Sequence, residues 1–313
     1  MSAVSHRQGP TGVVRTGDAY ELIGQVEAAS VDLLITSPPY WGLRSYDIPH
    51  KDVHETWIGT GATSDRVPTY DWYKRAGGAL GMEPYPHWYV AHLVELFNKG
   101  RRVLKATASI WINLGDTYFA RWSSIRDGGR QGYDEDRHRR KTPSGGYLHD
   151  KQLLMIPARF AIAMQGAGWI LRNDVIWAKP NVLPRPERDR LRMTHEHWFH
   201  FVLRRSSGRP SYFYDITKCE PGQRDVVAYR PAAGSNGHTA TFPSDLIRPR
   251  IESSCPKPGT VLDPFCGTGR ALVEAIRTGR HGVGFERNPA YARGARSAVL
   301  AALKEASLGS RHG

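Results

Sequence analysis

Apolar residues in this chain fall into short continuous runs that alternate with longer stripes at helical spacing. "GVVRT" and "VDLLI" read as strands on either side of a turn and a short helix. "PHWYVAHLVELFNKGRRVLK" places apolar residues one helical turn apart and ends in basic residues, which suits a helix C-terminus. "ASIWINLGD" reads as a buried strand. "QLLMIPARFAIAMQGAGW" reads as a helix ending near Gly166 or Gly168. "ILRNDVIWAKP" and "HEHWFHFVLRR" read as two strands joined by an arginine-rich connection. "TVLDPFCGTGRALVEAIRTGRHGVGFERNPAYARGARSAVLAALKEA" then gives strand, glycine turn, helix, strand, acidic residue and helix. Strands that take turns with helices predict an α/β fold with a doubly wound, mostly parallel sheet.

Three stretches break the pattern. Residues 43–86 show no sustained period and are rich in Gly, Pro, Tyr and His, which predicts a long loop or insertion. Residues 120–150 are polar and glycine-rich and read as a mobile basic loop. Residues 205–240 form a further irregular region. The expected organisation is a disordered start over 1–11, one domain over 12–300 carrying these insertions or a small recognition subdomain, and a flexible tail over 301–313.

The 313 residues suffice for such a domain and a sizeable core. Lys and Arg total 43 against 30 Asp and Glu, a formal charge of +13, which makes a polyanion a candidate partner. Three cysteines, Cys219, Cys255 and Cys266, form no CxxC pair. That argues against a disulfide framework or a structural zinc site and fits a reducing compartment. The first residues lack an apolar signal core, and no apolar run approaches about twenty residues, so no membrane span is expected.

Chemistry concentrates at two strand ends. In "ITSPPYW" neither Pro38 nor Pro39 can donate a ladder hydrogen bond, so the strand ends near Ser37. The prolines stiffen a tip that carries a hydroxyl, bare carbonyls and an aromatic ring, a place to hold something flat and polar. In "VLDPFCGTGRALVEA", Gly267 and Gly269 let the backbone turn tightly and approach a ligand. Glu286 ends the following strand, where a carboxylate can accept from both hydroxyls of a ribose. The third glycine of a dinucleotide fingerprint is absent. Asp263 precedes the turn instead and suits a positively charged amino-acid moiety better than a pyrophosphate. A nucleoside carrying an amino acid and a cation is S-adenosyl-L-methionine; the alternative is a plain strand-to-helix turn with no ligand.

Together, "TSPPY" and "DPFCGTG" resemble the catalytic and cofactor motifs of the amino-methyltransferases of DNA, which methylate exocyclic nitrogens. The catalytic motif comes first and the cofactor motif last, similar to the β-group order. The resemblance extends over most of residues 12–300 and includes "ATFPSDLI", which looks like the helix that closes over the methionine end of the cofactor. It implies a Rossmann-like methyltransferase fold, S-adenosyl-L-methionine as methyl donor with S-adenosyl-L-homocysteine as product, no metal, and double-stranded DNA as partner. It also implies a cytoplasmic protein of bacterial, archaeal or phage origin. A cognate restriction endonuclease, and a monomer or a homodimer, stay open.

What the resemblance implies residue by residue is as follows. Ser37, Pro38, Pro39 and Tyr40 are catalytic: the Ser37 hydroxyl and the Pro38 carbonyl accept from the amino hydrogens and localise the nitrogen lone pair, and Tyr40 stacks on the base. Asp18 contacts the cofactor adenine, Phe265 and Glu286 frame the adenosine, and Asp263, Cys266, Gly267, Gly269 and Asn288 belong to the cofactor turn and its surroundings. Phe242, Pro243 and Ser244 lie near the methionine end. Ser-Pro-Pro-Tyr favours N4 of cytosine over N6 of adenine. The base must be flipped from the duplex at roughly a few kcal/mol, which phosphate-gripping cations offset. Candidates are Arg137, Arg139 and Arg140 in one loop and Arg185, Arg188, Arg190 and Arg192 in "RPERDRLR"; Trp41, beside the pocket, is a further candidate DNA contact. Thr268-Gly269-Arg270-Ala271 departs from the Ser-Gly-Thr-Thr frequent in the family, and Arg270 there has no assigned role. No Pro-Cys dipeptide occurs, which disfavours methylation at cytosine C5. "HEHWFH" lacks further ligands for a metal.

Overall fold

The computed structural model describes residues 9–42, 51, 53–63, 65–119, 146–180, 188–204, 207–219, 221–231 and 242–309. Arg137, Arg139, Arg140 and Arg185 lie outside the described residues, as do 1–8 of the chain start and most of the basic loop.

The strands are β1 (Gly12–Thr16), β2 (Val31–Thr36), β3 (Leu104–Leu114), β4 (Trp169–Ala178), β5 (His195–Leu203), β6 (Val226–Ala228), β7 (Thr260–Asp263) and β8 (His281–Glu286). They form one sheet in the order β1-β8-β7-β2-β3-β5-β4-β6. β5 is antiparallel to both of its neighbours, and every other pairing is parallel. The helices are α1 (Ala19–Leu22), α2 (His54–Ile58), α3 (Tyr70–Arg75), α4 (Pro86–Gly100), α5 (Ile156–Gly166), α6 (Ser244–Ser254), α7 (Arg270–Arg277) and α8 (Pro289–Gly309).

β2 shows why the sheet is covered on both faces. All six of its residues are buried, as expected of a central parallel strand. Leu34 joins an apolar cluster with Leu93 and Phe97 of α4 and Phe160 of α5. Leu33 and Ile35 point the other way, into a cluster with Leu246 and Ile251 of α6 and Ala271 of α7. α4 starts at Pro86, whose fixed φ suits a first helical position. It buries Leu93, Leu96, Phe97 and Gly100 on one stripe. Phe97 and Phe160 meet with ring centroids 5.8 Å apart, and full burial of each such side chain contributes about 1.5–3 kcal/mol. A third cluster pins the end of the chain to its beginning: Val14 of β1 packs with Leu272 of α7 and Ala295 and Val299 of α8. A Cβ on Gly12 would stand 2.4 Å from Val299, so α8 lies directly on β1.

Several boundaries differ from the sequence reading. The segment 43–86 carries α2 and α3, and Val53, Tyr70, Tyr73 and Tyr85 are buried against Trp88 of α4. Its aromatic rings are large enough to cover α4 without a regular period, so periodicity missed them. α5 begins at Ile156 rather than at Gln152, because Met155 takes a left-handed conformation (φ 54°) that a helix cannot contain. The region 205–240 contains β6 and two short 3-10 turns at 216–218 and 221–223. α8 continues to Gly309, past residue 300 where a flexible tail was expected; Ala302 is buried and holds it down.

Candidate active site

β7 and β2 lie side by side, with Leu33 paired to Val261 and Leu34 to Leu262. The chain leaves β7 toward β8 and β1 on one side, while β2 and β3 lie on the other. A crevice opens outside the carboxyl ends of strands at such a switch point. Both predicted motifs end here. The Thr36 hydroxyl donates to Asp263 Oδ1 at 2.6 Å and ties the catalytic tip to the glycine turn. The same oxygen accepts the Phe265 N–H at 3.0 Å.

The turn is built by the two glycines. Gly267 (φ 51°) and Gly269 (φ 83°) are both left-handed. A Cβ on Gly269 would lie 3.1 Å from Ala295 of α8, so this glycine permits close helix packing. A Cβ on Gly267 would meet nothing within 4 Å, and its backbone borders open space. Glu286 accepts the Gly267 N–H at 3.0 Å and the Asn288 N–H at 2.7 Å. Burial pushes its carboxyl above the usual range, against the pull of these bonds. Burial pushes Asp263 further, to about 7.

The remaining cofactor candidates divide. Asp18 caps α1 by accepting from the Tyr20 N–H at 3.0 Å, and it also accepts from the Tyr70 hydroxyl at 3.2 Å. Arg287 stands 4.0 Å away, so Asp18 lies at the crevice rim beyond β8. Asn288 Oδ1 accepts from the N–H groups of Ala290 and Tyr291, which commits the side chain to starting α8. The Cys266 side chain packs against Leu272 and Gly284 and is 6 % exposed, so its backbone is the part that shapes the turn. Phe242 meets the ring of Trp198 edge-on at 5.4 Å, just before Pro243 and the first residue of α6, Ser244.

The Ser-Pro-Pro-Tyr tip is held by groups the sequence reading did not single out. Tyr89 donates to the Pro39 carbonyl at 2.7 Å. Ser37 Oγ donates to the Tyr40 hydroxyl at 3.3 Å. Asn113 Oδ1 and Glu196 Oε2 each lie 2.9 Å from that hydroxyl, and Lys179 pairs with the other oxygen of Glu196. Burial, then the Glu196 charge, hold the Tyr40 phenol well above its ordinary pKa. Asn113 is the last residue but one of β3, Lys179 follows β4 and Glu196 is the second residue of β5. Because β5 runs against its neighbours, its start reaches the same edge as the ends of β2, β3 and β4. "WAKP" and "HEHW" carried a signal, a Lys and a Glu at strand ends; only the pairing of Trp177 with Glu196 brings them together.

Trp41 is a correction. It is 6 % exposed and its indole N–H donates to the Glu83 carbonyl at 2.9 Å, so it belongs to the core and not to a DNA-facing rim. The buried Glu83 carboxylate pulls that segment inward, accepting from the Gly81 N–H at 2.8 Å and facing His92 at 3.0 Å. Arg188 and Arg192 are exposed on the connection between β4 and β5. Arg190 lies 3.8 Å over the Tyr118 ring. His197 pairs with Asp174 at 2.9 Å, and no group of three or more His, Cys, Asp or Glu side chains among the described residues is placed to hold a metal ion. No described helix is long and apolar enough to cross a membrane.

A family model described as DNA methylase matches residues 31–297. The type II methyltransferase M.Cfr9I of Citrobacter freundii is 34 % identical over 296 residues, covering 88 % of this chain and 83 % of that protein. The type II methyltransferase M.SmaI of Serratia marcescens is 33 % identical over 304 residues, covering 91 % and 89 %. Among solved structures, the PvuII DNA methyltransferase (cytosine-N4-specific) superposes with a TM-score of 0.62 at 18 % identity, covering 96 % of this chain and 95 % of that one. TTHA0409 of Thermus thermophilus, solved in complex with S-adenosyl-L-methionine, superposes with a TM-score of 0.56 at 19 % identity, covering 94 % and 96 %. At such identities the solved structures speak to the fold.

Proposed function

The chain belongs to the DNA methylase family, and from that premise we propose that it transfers a methyl group from S-adenosyl-L-methionine to N4 of a cytosine flipped out of duplex DNA. The observation that carries this reading is the 2.6 Å bond between Thr36 and Asp263, which sets the Ser-Pro-Pro-Tyr tip beside the glycine turn.

The residues of the turn fit the cofactor. The Glu286 oxygens accept the Gly267 and Asn288 N–H groups and keep lone-pair capacity for ribose hydroxyls. Phe265 and Asp18 border the place for the adenine, the open side of Gly267 lets a nucleoside approach the backbone, and the buried Asp263 offers a carboxylate to a cationic amino-acid end. When bound, the cofactor supplies an activated methyl group on a sulfonium. At the tip, Ser37 already donates its hydrogen to Tyr40, so its lone pairs face the pocket as acceptors. Together with the Pro38 carbonyl they draw the amino hydrogens out of the plane of the base. Acceptors fixed in advance help most where positive charge develops on nitrogen, and holding the amine in line with the methyl carries much of the remaining rate. The choice of cytosine over adenine rests on the Ser-Pro-Pro-Tyr form of the tip, which resembles that of the N4-cytosine enzymes. Arg188 and Arg192, exposed at the site's edge of the sheet, are placed to grip phosphates.

Nucleoside mass spectrometry of DNA from cells expressing the chain, beside a Ser37→Ala control, tests the reading. N4-methylcytosine that disappears in the control is expected. N6-methyladenine would overturn the choice of base and keep the chemistry. No methylation of any DNA by the purified chain with labelled cofactor would overturn the whole reading.

A further inference from the structure

We propose that Ser37, Tyr40 and Glu196 form a proton wire that carries the proton shed by the target amine to the Glu196 carboxylate. This rests on the reading of the site as an amino methyltransferase.

The hydrogen-bond inventory of the cluster motivates the wire. Tyr40 has one hydroxyl hydrogen. Its oxygen receives the Ser37 hydroxyl at 3.3 Å. Two acceptors then compete for the single hydrogen: Asn113 Oδ1 and Glu196 Oε2, each at 2.9 Å. Asn113 cannot resolve the competition by turning its amide, because its Nδ2 donates to the His197 carbonyl at 3.1 Å. The cluster is therefore one proton short. A proton on Glu196 Oε2 completes it: Glu196 donates to the Tyr40 oxygen and Tyr40 donates to Asn113. No heavy atom has to move.

The surroundings hold the Glu196 carboxylate against Tyr40. The Glu196 and Lys179 side chains are 14 % and 16 % exposed. Lys179 pairs with the other Glu196 oxygen and lies 4.5 Å over the Trp177 ring. Gly115 allows the close approach, since a Cβ there would stand 2.7 Å from the Tyr40 ring and 3.3 Å from Glu196. The other titratable neighbours include Tyr89 of α4, facing Tyr40, and His195 and His197, flanking Glu196 on β5, and His197 is paired with Asp174.

The step balances. A bond forms between the amine nitrogen and the methyl carbon as the sulfur–methyl bond breaks, and its electron pair stays on sulfur as a thioether. The nitrogen gives its surplus proton to Ser37 Oγ, Ser37 gives its hydrogen to Tyr40, and Tyr40 gives its own to Glu196. One positive charge is lost at sulfur and one negative charge is lost at Glu196. Tyr40 receives a proton as it releases one, so no phenolate forms, in keeping with a phenol held well above its ordinary pKa by burial.

The test is single-turnover methyl transfer to DNA by the full chain, Glu196→Gln, Tyr40→Phe and the double variant. Each single variant should lose about a hundredfold in rate and bind cofactor with unchanged affinity by calorimetry, which also reports a folded pocket. The double variant should be no slower than the worse single variant, and Glu196→Asp should recover part of the rate. An active wild type whose Glu196→Gln and Tyr40→Phe forms keep the same rate overturns the wire alone. A wild type that methylates no DNA overturns the underlying reading.

Discussion

Asp263 should make cofactor affinity depend on pH in the neutral range. The residue is 1 % exposed. Burial raises its carboxyl from 3.8 to about 7; hydrogen bonds from Thr36 and Phe265 pull the other way, and the charge of Glu286 adds to the rise. A bound cation favours the ionised carboxylate, and S-adenosyl-L-methionine brings an ammonium and a sulfonium. Below pH 7 binding must therefore expel the Asp263 proton. If the ionised form is the binding form, the apparent Kd at pH 6 is about tenfold above its plateau, or about 1.4 kcal/mol, and at pH 8 only about 10 % above it. The folding sign runs in the opposite sense. The folded carboxyl holds its proton more tightly than the unfolded one, so stability is full below about pH 4 and falls as pH rises through 7. Bound cofactor recovers part of that loss by linkage. Calorimetric titration at pH 6, 7 and 8, in two buffers of different ionisation heat, measures affinity and proton release together. Nearly one proton should leave at pH 6 and almost none at pH 8. Asp263→Asn should bind more weakly and without pH dependence. A wild-type affinity that stays constant from pH 6 to 8, with no proton released, would refute the reasoning.

Other outcomes follow from the same geometry. Ser37→Ala should lower turnover by about 10²–10³-fold while the cofactor Kd, read by calorimetry, stays within about twofold, as expected for a group acting mainly in the transition state. Gly269→Val should lose about 1–3 kcal/mol in urea unfolding, because a side chain at φ 83° is strained and its Cβ would press on Ala295 at 3.1 Å. Glu83→Ala should cost about 1–3 kcal/mol, since it takes the Nδ1 partner from the fully buried His92, whose Nε2 still faces the Pro68 carbonyl; a midpoint unchanged within error would count against the role given to that pair. Arg188→Ala should reduce the slope of log K for DNA against log salt by about one, measured by fluorescence anisotropy, and leave site preference unaltered.

The glycine turn and the Ser-Pro-Pro-Tyr tip were legible because both are local. A strand, two glycines and a helix within "VLDPFCGTGRALVEA", or two prolines after "VDLLI", are legible wherever they stand in the sheet, since they depend on φ preferences and on missing donors. Asp263 and Glu286 therefore end their strands, and Gly267 and Gly269 make the turn between strand and helix, as the local sequence implies. Trp41 did not: an aromatic beside a catalytic motif is equally at home in a pocket or a core, and the buried Glu83, 42 residues away, drew it into the core. Segment 43–86 failed for a related reason. Tyr70, Tyr73 and Trp88 pack by ring size and edge contacts, which leave no period to count.

The sequence by itself determined the alternation of strand and helix, the rigid Ser-Pro-Pro-Tyr tip and the glycine turn, because each follows from residues within about one turn of each other. Tertiary structure alone decided that the tip and the turn share a crevice, through a parallel pairing of β2 with β7 and a bond that spans 227 positions of chain. It also decided that Asn113, Glu196 and Lys179 gather on Tyr40. Their meeting depends on β5 running against its neighbours. Strand order and direction are set by the burial of both sheet faces at once, a property of the whole core that no local stretch of residues encodes.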